Sequence, residues 1–154
     1  MESASLYSVK AFTPGGMTHS QVFDLLGRWK PRLSLEEGEA RLWSVEMEQT
    51  GFTIAMSPVE TLWLLFWGDT LAALEGDFPR TRIDDMRSAF RHKFGEGIST
   101  WGNSVSSALV EIDEAGRCYF RIACRALFET YSNKLNWQLM QERRKHRQAV
   151  IADI

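Results

Sequence analysis

Arginines set beside aromatic residues are the side chains in this sequence with the clearest capacity for recognition chemistry. In the alternating segment Cys118 to Phe128, Tyr119, Arg121 and Arg125 fall on the face opposite Cys118, Phe120, Ile122 and Cys124. An arginine next to an aromatic on a sheet face can stack a base and contact a phosphate, as single-strand nucleic-acid binders do. Two more basic groupings accompany it. Arg80, Arg87 and Arg91 lie within about 40° of one another on a helical wheel, beside an apolar face. The run Arg143-Arg144-Lys145-His146-Arg147 sits in a polar stretch near the C-terminus. Each grouping also fits plainer roles. Basic residues complement the later turns of helices, and the sheet arginines can pair with Glu111 or Glu129.

Catalytic and metal-binding patterns are not apparent. The three histidines, His19, His92 and His146, fall in separate elements, none with a carboxylate or second histidine at ligand spacing. Acid–base work by a histidine needs a positioned partner. Glu36-Glu37 and Asp84-Asp85 are adjacent pairs, and adjacent residues on a helix do not face each other. Gly95-Glu96-Gly97 follows a helical pattern instead of opening one, so it lacks the order of a nucleotide fingerprint. Cys118 and Cys124 are six positions apart in one apparent strand, about 20 Å along it and beyond disulfide reach. They read as small apolar side chains suited to a reducing cytoplasm. No catalytic residue, metal ligand or cofactor is therefore assigned.

Charge is divided along the chain. From Leu33 to Pro79 there are nine acidic residues and one basic, whereas from Arg80 to Arg147 thirteen basic residues face eight acidic ones. Such asymmetry suits a surface used for association. The sequence pI of about 5.9 is far below that of a dedicated nucleic-acid domain. Six tryptophans and nine phenylalanines exceed what a core of this size requires, and large aromatics concentrate at interfaces. Trp67, Trp101 (isolated in a loop-like segment) and Trp137 are candidate anchors for a partner, since tryptophan and arginine dominate binding hot spots.

Periodicity outlines the strands and helices that carry these residues. Leu6 to Phe12 reads as a strand ended by Thr13-Pro14-Gly15-Gly16. Thr18 and Gln21 form a capping box for a helix that Lys30-Pro31 ends. Trp43, Val45 and Met47 alternate with polar neighbours, and Phe52, Ile54 and Met56 alternate beyond Thr50-Gly51, which predicts a hairpin; a helix from Ser34 to Gln49 is the rival reading. Ser57, Pro58 and Glu60 carry the pattern of an N-cap, N1 and N3, opening a helix to Leu74 that is apolar nearly all round. On that helix Trp63 and Trp67 would stack one turn apart, and something would have to cover it. After Phe78-Pro79, Ile83, Met86, Phe90 and Phe94 mark another helix, stopped by glycines 95 and 97. A second hairpin joins Ala108–Ile112 to Cys118–Phe128, and Ser132 or Asn133 caps a C-terminal helix.

The resulting order is β-α-ββ-α-α-ββ-α: a single α+β domain over 1–154, with an antiparallel sheet built largely from two hairpins and about four helices. No signal peptide or membrane-spanning run is visible, so a cytoplasmic protein is expected. The expected function is non-catalytic: an adaptor, inhibitor or chaperone-like module that binds a partner protein, with self-association as a further expectation. Nucleic-acid binding through Arg80, Arg87, Arg91, Tyr119, Arg121, Arg125, Arg143, Arg144 and Arg147 is the alternative. A small-molecule or enzymatic domain with a Trp-lined pocket is the third reading.

Overall fold

The computed structural model describes residues 4–48 and 50–133. It is an α+β fold around one antiparallel sheet of seven strands, with two helices against its first face. Helix α1 (His19–Leu26) leads into β1 (Arg32–Glu37) and β2 (Ala40–Glu46). The short strands β3 (Thr53–Ile54) and β4 (Ser57–Pro58) pair with each other, and β5 (Thr61–Trp67) and β6 (Thr70–Asp77) follow. After a single 3₁₀ turn, helix α2 (Ile83–Phe94) precedes β7 (Thr100–Gly102), β8 (Ser106–Ile112) and β9 (Cys118–Cys124). Residues 125–133 are helical.

The strand order β1-β2-β5-β6-β9-β8-β7 splits the molecule into two similar halves. Each half begins with a helix whose buried residues (Val22 and Leu26, or Met86 and Phe90) enter the same core. A meander follows in each, and the last strands, β6 and β9, pair at the centre. Two helix-plus-meander units thus meet along one antiparallel ladder, Ala73–Asp77 against Tyr119–Ala123. No sequence repeat announces this arrangement.

The largest correction concerns 58–74. The expected apolar helix is instead the β5–β6 hairpin at the middle of the sheet. Thr61 to Phe66 are all buried, with Leu62, Leu64 and Phe66 in the core of the first face and Trp63 and Leu65 in that of the second. A central strand covered on both faces reads as an unbroken apolar run, and periodicity cannot distinguish it from a buried helix. The turn decides the matter. Gly68, at φ 59°, and Asp69 form a two-residue loop between paired Trp67 and Thr70, in keeping with the glycine preference of tight hairpins. Trp63 and Trp67 therefore lie four residues apart on one strand face, about 13 Å from each other, and do not stack. No helix remains here for a partner to cover.

Other boundaries also change. Leu6 to Phe12 is not a strand; Lys10 and Ala11 turn the chain at positive φ, leaving a single Val9–Phe12 bridge. The strand around Trp43 exists, but it pairs with β1 and β5 and not with Phe52–Met56, and the rival helix from Ser34 is replaced by β1. Trp101 lies in β7, not a loop. The last hairpin forms as β8–β9 but ends at Cys124, and the helix begins at 125, before the expected cap at Ser132 or Asn133.

The first helix starts at its capping box but ends at Leu26 with Gly27 as its cap, short of the expected stop at Lys30-Pro31, while α2 matches its sequence signals. Thr18 Oγ1 accepts from the Gln21 amide at 3.3 Å, while Gln21 Oε1 accepts from the Thr18 amide at 2.9 Å. Phe90 of α2 packs its ring against Phe94, Trp101 and Phe120.

Candidate functional site

The second face of the sheet holds a buried ionic cluster where the two halves join. Alternation along β6 points Ala73, Glu75 and Asp77 to this face, and alternation along β9 points Tyr119, Arg121 and Ala123 to it. Glu75 is fully buried and faces Arg121 across the ladder. Arg121 Nε donates to Glu75 Oε2 at 2.7 Å. Arg117, from the β8–β9 connection, reaches back over the same strands. Its Nε donates to Asp77 Oδ1 at 2.6 Å and its Nη2 to Glu75 Oε1 at 3.1 Å. Trp63 Nε1 donates to the other Asp77 oxygen at 3.2 Å.

Two carboxylates thus balance two guanidinium groups. Burial works against the charge on Arg117, but attraction from Asp77 and Glu75, with their hydrogen bonds, outweighs it and holds its pKa above the ordinary arginine range. The Arg117 guanidinium lies 4.3 Å from the Tyr119 ring centroid, and that of Arg121 lies 4.5 Å from the centroid of Phe128. These are cation–π distances. The cluster clamps β6 to β9. Its two carboxylates and two guanidinium groups are bonded to each other across the seam between the halves.

Tyr119 and Arg121 share one sheet face, as the alternation predicts, while Glu111 and Glu129 were only the plainer partners open to the sheet arginines. Arg121 instead bonds Glu75, and its side chain is only 15 % exposed. Arg125 lies beyond β9 at the start of the helical stretch, where its Nε donates to the carbonyls of Asn103 and Ser106. Arg87 and Arg91 donate to the carbonyls of Val110 and Gly97. Arg80 is exposed in the 3₁₀ turn before α2. Trp101 is 6 % exposed, with its indole N–H donated to Gly95 O at 2.9 Å. These residues occupy the half of the molecule that holds α2 and β9. Trp137, Arg143, Arg144 and Arg147 lie outside the described residues.

Arg117, Glu75 and Asp77 were missed. Glu75 and Asp77 lie past the Leu74 end of the expected helix, and Arg117 precedes the expected strand from Cys118, so periodicity assigns none of the three a face. The alternation Ala73-Glu75-Asp77, read beside Arg117-Tyr119-Arg121, would have exposed the cluster once β6 was recognised as a strand.

A second feature lies at the tip of the β3–β4 hairpin. Its two turn residues, Ala55 and Met56, both adopt positive φ, 54° and 63°. A side chain in this region costs roughly 1–2 kcal/mol per residue, which is why such turns favour Asn-Gly or Asp-Gly. The base of the hairpin is fixed: Ile54 and Ser57 are buried, and the ring of Phe52 packs edge-on to Trp29 at 5.5 Å. Met56, in contrast, is 86 % exposed. An unbranched, polarizable thioether is thus held out from a firm base by a strained turn.

Among the described residues there is no group of three or more potential metal ligands, and no helix long and apolar enough to cross a membrane. His19 packs as an aromatic, its ring centroid 3.9 Å from Phe23 and 5.2 Å from Phe66. No family model, curated protein or solved structure matches the chain.

Proposed function

We propose that this protein is a non-catalytic binding module that acts on a partner protein, as an adaptor, inhibitor or chaperone-like factor, in a reducing compartment such as the cytoplasm. The observation that carries the reading is the Ala55–Met56 tip. Backbone strain persists where the surrounding structure over-determines it, and it clusters at functional positions. Methionine is a favoured contact residue of adaptable binding surfaces because it repacks easily. The free thiols of Cys118 and Cys124 accord with the compartment. The buried ionic cluster adds support, since its charges are spent on holding the fold together.

The test is capture from native lysate with wild-type protein and Met56→Gly, each with and without nuclease. A protein retained by the wild type after nuclease treatment, and lost with Met56→Gly, supports the reading. Full retention by the glycine variant removes the tip from the contact. Loss of capture on nuclease treatment moves the assignment to nucleic-acid binding. That mode would use the exposed arginines near α2 and would weaken steeply with salt.

A further inference from the structure

The two edges of the sheet differ, and the longer one is self-complementary. Strand β7 is three residues long, whereas β1 runs over six, Arg32-Leu33-Ser34-Leu35-Glu36-Glu37, with β2 as its strand neighbour. An edge strand presents backbone donors and acceptors that can pair with another chain. Charge is ordered along β1, positive at its first residue and negative at its last two. Antiparallel pairing with a second copy sets cation against anion at both ends, whereas parallel pairing sets like against like.

The bulge makes the antiparallel register geometrically sound. Leu33 is opposite Trp43 and Leu35 opposite Leu42, so Ser34 is an extra residue in β1. Arg32 is opposite Ser44 and Glu37 opposite Ala40; Ser44 and Ala40 are four apart in β2, so Arg32 and Glu37 share a sheet face. Leu33 and Glu36 share the other face by the same reasoning. In a regular strand, residues five apart point to opposite faces, and a two-fold pairing of Arg32 with Glu37 would be impossible. With the bulge, that pairing matches faces at both ends and sets the exposed Leu33 across from the stem of Glu36.

We propose that β1 is a self-recognition edge, through which two copies of this chain join antiparallel about a two-fold axis, Arg32 of each copy facing Glu37 of the other. This goes beyond the partner-binding reading and does not depend on it.

The experiment is sedimentation velocity of the full chain over a concentration series, for wild type, Arg32→Glu, Glu37→Arg and the double exchange. Both positions are exposed, and thermal melts check that each variant is folded. The wild type is expected to shift from monomer to dimer as concentration rises. Either single reversal puts like charges together twice across the axis and raises the dimer dissociation constant by about tenfold or more. The double exchange restores wild-type association. A wild type that stays monomeric at the highest concentration overturns the proposal, as does a dimer indifferent to the single reversals or a double exchange that fails to rescue. None of these outcomes alters the Met56 capture result, so the two readings fail separately.

Discussion

The two faces of the central sheet are buried by different means. The first is closed by aliphatic and aromatic side chains: Leu62, Leu64 and Phe66 from β5, Phe120 and Ile122 from β9, Val22 and Leu26 from α1, Met86 and Phe90 from α2. The second carries Leu42, Leu65 and Trp63, but across β6 and β9 it turns ionic, with Glu75 and Arg117 almost fully buried. Apolar burial is non-directional, so it forbids a slip of one residue but discriminates less sharply against a slip of two. Buried ions tolerate only an arrangement that pairs them, because a lone charge there is expensive. A slip of one residue between β6 and β9 would turn Glu75 toward the hydrocarbon of the first face. The first face thus gathers the larger apolar core, while the ion pairs of the second tie β6 to β9 in one alignment.

The largest expected effect breaks the ionic side of this contrast. Glu75→Ala leaves Arg117 and Arg121 in place with half their negative partners gone and should cost about 3–5 kcal/mol. Phe66→Ala on the opposite face should cost about as much through cavity formation. Denaturant titration of both variants measures the two losses. If Glu75→Ala costs under about 1 kcal/mol, the cluster is not holding the seam and the contrast fails.

Gly76 sharpens the comparison from between the two acidic residues. A Cβ built there would lie 2.3 Å from the Phe120 ring, so Gly76→Ala forces the first-face packing apart at the position facing Phe120 in β9. Overpacking of this kind costs about 1–3 kcal/mol. Adding Phe120→Leu should recover part of the loss, a non-additivity readable in a double-mutant cycle. Simple additivity would mean that the ring is not what the new methyl meets.

An effect of similar size separates Trp63 as packing from Trp63 as donor. Trp63→Phe keeps much of the apolar bulk but removes the N–H given to Asp77, with an expected loss of about 1–3 kcal/mol. In an Asp77→Asn background the same change should cost less, because the accepting group is then neutral. An equal cost in both backgrounds would assign the residue to packing alone.

How far these features were legible differs by element. The capping box at Thr18 and Gln21, the α2 periodicity and the β8–β9 alternation are local signals, and local structure obeys them. The β5–β6 hairpin was misread because Ser57, Pro58 and Glu60 imitate a helix start, and because strands buried on both faces lose their alternation. Gly68-Asp69 fits a two-residue hairpin turn, a signal that the helix reading passes over. The ionic cluster was hidden for a different reason. Glu75 and Arg117 are 42 positions apart, and their opposition depends on a β6–β9 register that no local pattern encodes. Arg121 was recognised as a residue of interest, but its partner could be named only after the two halves were brought together.

The smallest expected effect has the opposite sign and lies outside both faces. Met56→Gly removes a side chain from a position at φ 63°, where glycine is unstrained. Met56 is 86 % exposed, so little packing is lost. Glycine also gives the unfolded chain more freedom to lose, which takes back part of the gain. The net result should be a rise of up to about 1 kcal/mol, seen as a higher denaturation midpoint with an unchanged slope. Ala55→Gly should behave alike at φ 54°. A gain in stability at a position that presents an apolar side chain to solvent is the mark of a residue kept for contact and not for folding. If either glycine instead lowers the midpoint, the strain in the turn is smaller than the entropy glycine adds to the unfolded chain, and the tip no longer supports a binding role.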